Sequence, residues 1–232
     1  NIDFSQISSD TNGKGLYYTS TNTEDNKTTY YFRGAVKNNY VSFAGFTWRI
    51  IRINEDGSIR LIKQDSIGDS AFNEKESYNT YVGYMYGTLS LTNYEAAHAN
   101  TNSSTIKKAL DNWYKTNLIS YSSLIADSGF CGDRSLPAGV WGTNDNGDGV
   151  NNTPRTSYFG TYVRYIKNVA QFTCPEPSRD LYTTTDSSIG NKSLTYPVGL
   201  ISYDELVFAG MDQRHINKLS WAYSTQHYWT MS

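Results

Sequence analysis

Two cysteines, three histidines and a run of Asn and Asp near the middle of the chain are the residues best suited to chemistry in this sequence. Cys131 lies in Gly129-Phe130-Cys131-Gly132-Asp133 and Cys174 in Phe172-Thr173-Cys174-Pro175. Neither belongs to a C-x-x-C or C…H spacing, which argues against a zinc site. A structural disulfide or two buried thiols remain, and a catalytic pair lacks any supporting motif. A bridge would close a loop of roughly 44 residues, worth roughly 4 kcal/mol in the chain-entropy model. It would also place the protein in an oxidising compartment outside the cytosol.

His98, His215 and His227 come without a nucleophile motif such as G-x-S-x-G, and a hydrolytic triad needs a nucleophile with a base in reach. No P-loop and no dinucleotide-binding fingerprint occurs. Asp69, Glu74 and Glu76 cluster in a stretch that reads as a charged loop, and His98 reads as a surface or half-buried residue. The chain is therefore expected not to be an enzyme. No cofactor is expected either, with calcium as the one exception to weigh. Asn144, Asn146, Asp148, Gly149 and Asn152 match positions 1, 3, 5, 6 and 9 of a calcium loop. Position 1 carries Asn rather than Asp, and Arg155 stands where a bidentate Glu belongs. A Gly/Asn-rich turn is the competing reading.

The strongest binding signal is near the C-terminus. Between Met211 and His227 the chain mixes Asp212, Gln213, Arg214, His215, Asn217, Lys218, Trp221, Tyr223 and Gln226 in an order that follows neither a helical nor a strand period. Trp, Tyr and Arg dominate binding hot spots, so this aperiodic stretch is the candidate ligand-binding surface, with Arg214, Trp221 and Tyr223 as anchors.

Regular elements must hold that stretch in place. Phe46 to Ile53 and Ser58 to Lys63 are β-branched and aromatic runs around Asn54-Glu55-Asp56-Gly57, whose Asp-Gly pair favours a tight turn. The region from about 40 to 64 is thus a central hairpin, expected to be covered on both faces. Leu16 to Thr19 and Thr28 to Arg33 flank a polar turn and predict a second hairpin. Residues 65–102 read as irregular, packed down by Tyr78, Tyr81, Tyr84 and Tyr86. Ser103-Ser104 offers N-caps to a helix with Ile106, Ala109, Leu110 and Trp113 on its buried face. A short helix with a core-facing stripe is expected through Tyr121 to Ala126, and a strand over part of Tyr158 to Phe172. Ser202 and Glu205 form a capping box, and Gly210 is a C-cap. Tyr228 to Ser232 reads as a buried terminal strand. The fold class is α+β, with mixed or antiparallel sheets and two or three short helices, and one domain is expected over all 232 residues.

Composition narrows the partners. The formal charge is -2 and no basic tract exists, so a nucleic-acid partner lacks its electrostatic footprint. No apolar run reaches membrane-spanning length. The 20 Tyr, with abundant Asn, Ser, Thr and Gly, suit an adaptable protein- or glycan-binding surface as well as an extracellular β-rich protein. The start at Asn1 suggests a processed product or an excised ectodomain, with residues 1–15 a linker or helix stub and any membrane or pilus anchor outside the fragment.

Several segments together carry a resemblance. They are Tyr31-Phe32-Arg33-Gly34, Val41 through Arg52, Phe130-Cys131-Gly132-Asp133-Arg134-Ser135, Phe172-Thr173-Cys174-Pro175, Pro197 to Ile201, Asp204-Glu205 and Tyr228-Trp229-Thr230-Met231-Ser232. From about residue 16 to the end, the chain resembles extracellular domains of Gram-positive gut bacteria that are often carried behind a pilin-like helix. It is similar to the C-type-lectin-like fold of the formylglycine-generating-enzyme type. The resemblance implies a cell-surface, secreted or pilus-associated adhesin. It also implies that Met211 to His227 corresponds to the diversified surface of the variable proteins of diversity-generating retroelements. Asp212, Arg214, His215, Ile216, Asn217, Tyr223 and His227 are compatible with adenine replacement in Asn codons; Gln213, Lys218, Trp221 and Gln226 would come from other codons. No cysteine follows Cys174, so the sulfatase-modifying activity found in that fold is not carried over. A structural pilin-type subunit without a diversified site is the alternative, and an enzyme of unrecognised type is a more remote one.

Overall fold

Alternating aromatic and β-branched residues build an antiparallel sheet from the first third of the chain. Its strands are β1 (Gly15–Thr19), β2 (Thr29–Arg33), β3 (Tyr40–Phe43), β4 (Phe46–Ile53) and β5 (Ile59–Lys63). In the computed structural model, residues 14–20, 23, 27–74, 81, 83–88, 94–135, 161, 164, 170–211 and 218–231 are described. The chain packs into two compact units whose segments alternate along the sequence. Asn1–Ser66, Tyr165–Thr173 and Tyr203–Tyr228 belong to the first; Ile67–Arg164, Cys174–Ser202 and Trp229–Ser232 belong to the second. The protein is mixed α+β, as its residue patterns imply.

In the first unit β4 is the hub, pairing antiparallel with β2, β3 and β5. The β4–β5 turn is set by its sequence. Gly57 takes a φ of +84°, which a residue with a Cβ rarely adopts, and Asp56 Oδ1 accepts from the Ser58 amide at 2.8 Å and its hydroxyl at 2.7 Å. These bonds from Ser58 hold the Asp56 carboxyl below its ordinary pKa. A bulge between Ile50 and Arg52 lets Ile50, Ile51 and Arg52 all be buried, so β4 is covered on both faces as expected. One side packs Ile50 with Leu16, Phe32 and Val36. Elsewhere in this unit, Phe172 stacks on Phe208 at 3.9 Å, both rings meet Tyr31 edge-on, and the Arg52 guanidinium lies 4.6 Å from the Phe172 ring centre.

Among its described residues the second unit holds two short ladders: β6 (Met85–Tyr86) with β7 (Asn102–Ser103), and β8 (Phe130–Cys131) with β9 (Leu181–Tyr182). Its helices are α1 (Tyr94–Ala97), α2 (Thr105–Asn117) and α3 (Pro177–Asp180). Ser104 caps α2, its hydroxyl accepting from the Lys107 amide at 3.2 Å. The buried stripe of α2 runs Ile106, Leu110 and Tyr114 at i, i+4 and i+8, while Ala109 and Trp113 are only partly buried. Tyr84, Met85, Ile106, Leu110, Tyr182, Leu194 and Met231 form the core.

Several expectations are corrected. The segment after α2 is a 3-10 helix, Ile119–Leu124, and none of its residues is buried; Leu124 is 73% exposed. A six-residue helix with exposed apolar side chains is not a core stripe. Tyr228 to Met231 forms no strand: Tyr228 and Trp229 are 42% and 51% exposed, and of these four residues Met231 alone is fully buried, its amide donating to Ile201 O. His98 is fully buried rather than superficial. Most of the expected strand between Tyr158 and Phe172 lies outside the described residues, as does Tyr78.

Candidate functional site

The Met211–His227 stretch begins where α4 (Tyr203–Phe208) ends, and the end of α4 is firmly set. Gly210 has a φ of +92°. Its amide donates to Val207 O at 3.0 Å, and that of Met211 donates to Leu206 O at 2.9 Å. This is the double bond pattern of a Schellman C-cap, so the expected capping role of Gly210 holds. Arg33 adds donors from β2, its Nη1 reaching Val207 O at 2.9 Å and Phe208 O at 3.1 Å.

Both ends of the excursion that follows converge on one residue. Gly34 donates its amide to Ala209 O at 3.0 Å and accepts from the Trp221 amide at 3.0 Å. Ser220 strengthens the closure, its buried hydroxyl donating to Ala209 O at 3.0 Å. Trp221 is half-buried, packs on the cluster of Leu16, Phe32, Val36 and Ile50, and donates its indole N–H to Phe32 O at 2.8 Å. The two borders of the stretch, Ala209–Met211 and Ser220–Trp221, are thus pinned side by side on Gly34.

Between the pins, Lys218 is exposed and Leu219 is 77% exposed. Past Trp221 a second small turn closes through the Tyr228 hydroxyl, which donates to Ala222 O at 2.9 Å, and leaves Ser224, Thr225, Gln226 and His227 exposed. Met211 and Tyr223 are partly buried. Asp212, Gln213, Arg214, His215 and Asn217 lie outside the described residues. So do Asn144, Asn146, Asp148 and Asn152 of the calcium-loop pattern. Among the described residues, no group of three His, Cys, Asp or Glu side chains is placed to hold a metal.

Cys131 and Cys174 are joined in a disulfide with Cα atoms 5.5 Å apart. No described helix is long and apolar enough to cross a membrane.

Two buried charge clusters escaped sequence reasoning. In the first unit, Glu205 Oε1 accepts from Arg52 Nε at 3.3 Å and Arg60 Nε at 3.1 Å, all three side chains being at least nine-tenths buried. Its carboxylate is engaged with two strands, β4 through Arg52 and β5 through Arg60. Burial lowers the Arg60 pKa, and the Glu205 charge opposes that fall. In the second unit, Arg134 is fully buried. Its Nε donates to Asp180 Oδ1, Nη1 to Met85 O and Nη2 to Asn100 Oδ1, each at 2.9 Å. Asp133 meanwhile pairs with Arg164 at 2.6 Å and accepts from Thr161. Desolvation, with Arg134 and Arg179 adding repulsion, pushes His98 down to about 3, so it is neutral at physiological pH. These groups are spent on one another and cross-link the fold. The sequence signal for them is slight: Asp133-Arg134 follows Phe130-Cys131-Gly132, and Glu205 directly precedes the apolar run Leu206-Val207-Phe208.

Comparison of the chain with protein-family models, with curated proteins and with solved structures found no match.

Proposed function

We propose that this chain is an extracellular, non-enzymatic ligand-binding domain of C-type-lectin-like type, displaying residues 211–227 to a protein or glycan partner at the cell surface. The observation that carries the reading is the Gly34 clamp. A segment of binding-type composition leaves and rejoins the scaffold at a single residue, and Lys218 and Leu219 face solvent between the pins. A surface that must vary or adapt needs such fixed borders, because its own residues then contribute little to folding. The disulfide supports an oxidising location. The charge of -2 disfavours nucleic acid.

Replacing Lys218, Leu219, Gln226 and His227 together tests the binding role. With printed glycans, mucin and intact host cells as probes, the quadruple variant is expected to lose binding while its melting midpoint stays put. Unchanged binding to every probe refutes the site. For diversification, the DNA of close relatives is compared over codons 211–227 and codons 40–64. A substitution density no higher in the loop than in the hairpin removes the retroelement part of the proposal and leaves a surface subunit with a constant loop.

A further inference from the structure

Trp229 belongs to the second unit, and its setting is unusual for the largest of the aromatic side chains. The residue is 51% exposed, yet its indole is held in place. Nε1 donates to Ser70 O at 2.8 Å, and Phe72 meets the ring at 5.7 Å with planes 67° apart. Phe72 is itself packed on the Tyr84–Met231 core, and Met231, two residues beyond Trp229, is fully buried. The indole is therefore fastened at its polar edge and supported from one side, with half the residue's area left to solvent.

We infer that Trp229 is a stacking platform for a neutral saccharide ring, a site separate from residues 211–227. A pyranose has one face of C–H groups and a rim of hydroxyls. The negative face of an indole attracts the weakly positive C–H groups, and burying the two apolar faces together removes both from water. A fastened ring loses little rotational freedom when the sugar arrives, which is the advantage of preorganisation. Asp69 is exposed and immediately precedes in sequence Ser70, whose carbonyl holds the indole, which makes its carboxylate the acceptor to test for sugar hydroxyls. The same carboxylate and the net charge of -2 disfavour nucleotides and anionic sugars, which would otherwise stack as well.

The test uses the whole protein, labelled with nitrogen-15, and follows the indole N–H signals. The Trp229 signal is assigned by its absence from Trp229→Phe. Methyl β-glucoside, methyl β-galactoside and N-acetylglucosamine are the probes. At least one is expected to shift the Trp229 signal saturably, with a Kd of roughly 1–10 mM as befits a single stacked ring. Saturation transfer should be strongest to the ring C–H protons of the bound sugar. With affinities of all variants read from saturation-transfer titrations, since the Trp229 variants lack the indole signal, Trp229→Ala is expected to weaken binding at least about tenfold, and Asp69→Asn several-fold. Trp229→Phe keeps an aromatic face but loses the Ser70 bond, so intermediate affinity is expected. Should Trp229→Ala fail to fold, the Phe and Asn variants, each checked by its melting midpoint, carry the comparison. No shift with any of the three sugars overturns the inference, as does full affinity in Asp69→Asn and Trp229→Phe together. A larger shift with a lysine-containing peptide than with the sugars also overturns it, in favour of cation–π capture. None of these outcomes touches the Lys218–His227 surface, whose variants are read separately.

Discussion

The indole N–H of Trp221 donates to the carbonyl of Phe32 at 2.8 Å, across 189 positions of sequence. The residue that looks most like a binding anchor is thus also the bolt that fastens the loop to β2. Its neighbours Lys218, Leu219, Gln226 and His227 are exposed.

Trp221→Ala should therefore destabilise the protein, by about 3 kcal/mol for a large ring only half removed from water. Trp221→Phe should cost about 1 kcal/mol, mainly the lost hydrogen bond. Alanine at Lys218, Gln226 or His227 should stay within about 0.5 kcal/mol of the parent. Urea denaturation of the five variants measures all of this, and equal effects at Trp221 and Lys218 would contradict the division into bolt and display.

Glu205 balances two buried guanidiniums, Arg52 and Arg60. In Glu205→Gln the countercharge is gone while both cations stay buried, a loss expected to cost about 3–5 kcal/mol. A fall in stability under about 1 kcal/mol would mean that water reaches the cluster.

His98 has a folded-state pKa of about 3 against an ordinary value of 6.5. Because the unfolded chain takes up the proton first, stability is fully present above pH 6.5 and is lost as pH falls from 6.5 toward 3. One proton corresponds to a slope of about 1.4 kcal/mol per pH unit. Denaturation midpoints between pH 5 and 6.5, above most carboxylate titrations, isolate the effect. His98→Gln should flatten the slope there by about one proton. An unaltered slope would show that His98 is protonated in the folded protein.

The Cys131–Cys174 bridge should stabilise the second unit. Cys131→Ser with Cys174→Ser is expected to lower stability by about 2–5 kcal/mol. Intact mass with and without reductant shows the bridge directly, and a melting midpoint indifferent to reductant would deny it a structural part.

Much of the scaffold was legible in residue order because it rests on local rules. The hairpin of β4 and β5 follows from β-branched runs around Asp56-Gly57, the α2 cap from Ser104, and the Schellman end of α4 from Gly210. Turn chemistry and capping act within a few residues, so they survive reading without a third dimension. The failures share a different cause. Ile119–Leu124 has an apolar pattern but buries none of its residues, and Tyr228–Trp229 has strand-like residues but no partner strand among the described residues. Periodicity shows which side chains would gain from burial, not whether anything arrives to cover them.

The sequence by itself determined the α+β class, the hairpins, the principal helix and the two sulfurs available to pair. Only the tertiary structure decided that Gly34 receives both ends of the loop, that Trp221 points inward and Leu219 outward, and that Glu205 and Arg134 knit their units from within. Each of those facts joins residues tens to hundreds of positions apart. Such contacts depend on how whole elements pack, and a buried charge is tolerable only where packing delivers its partner.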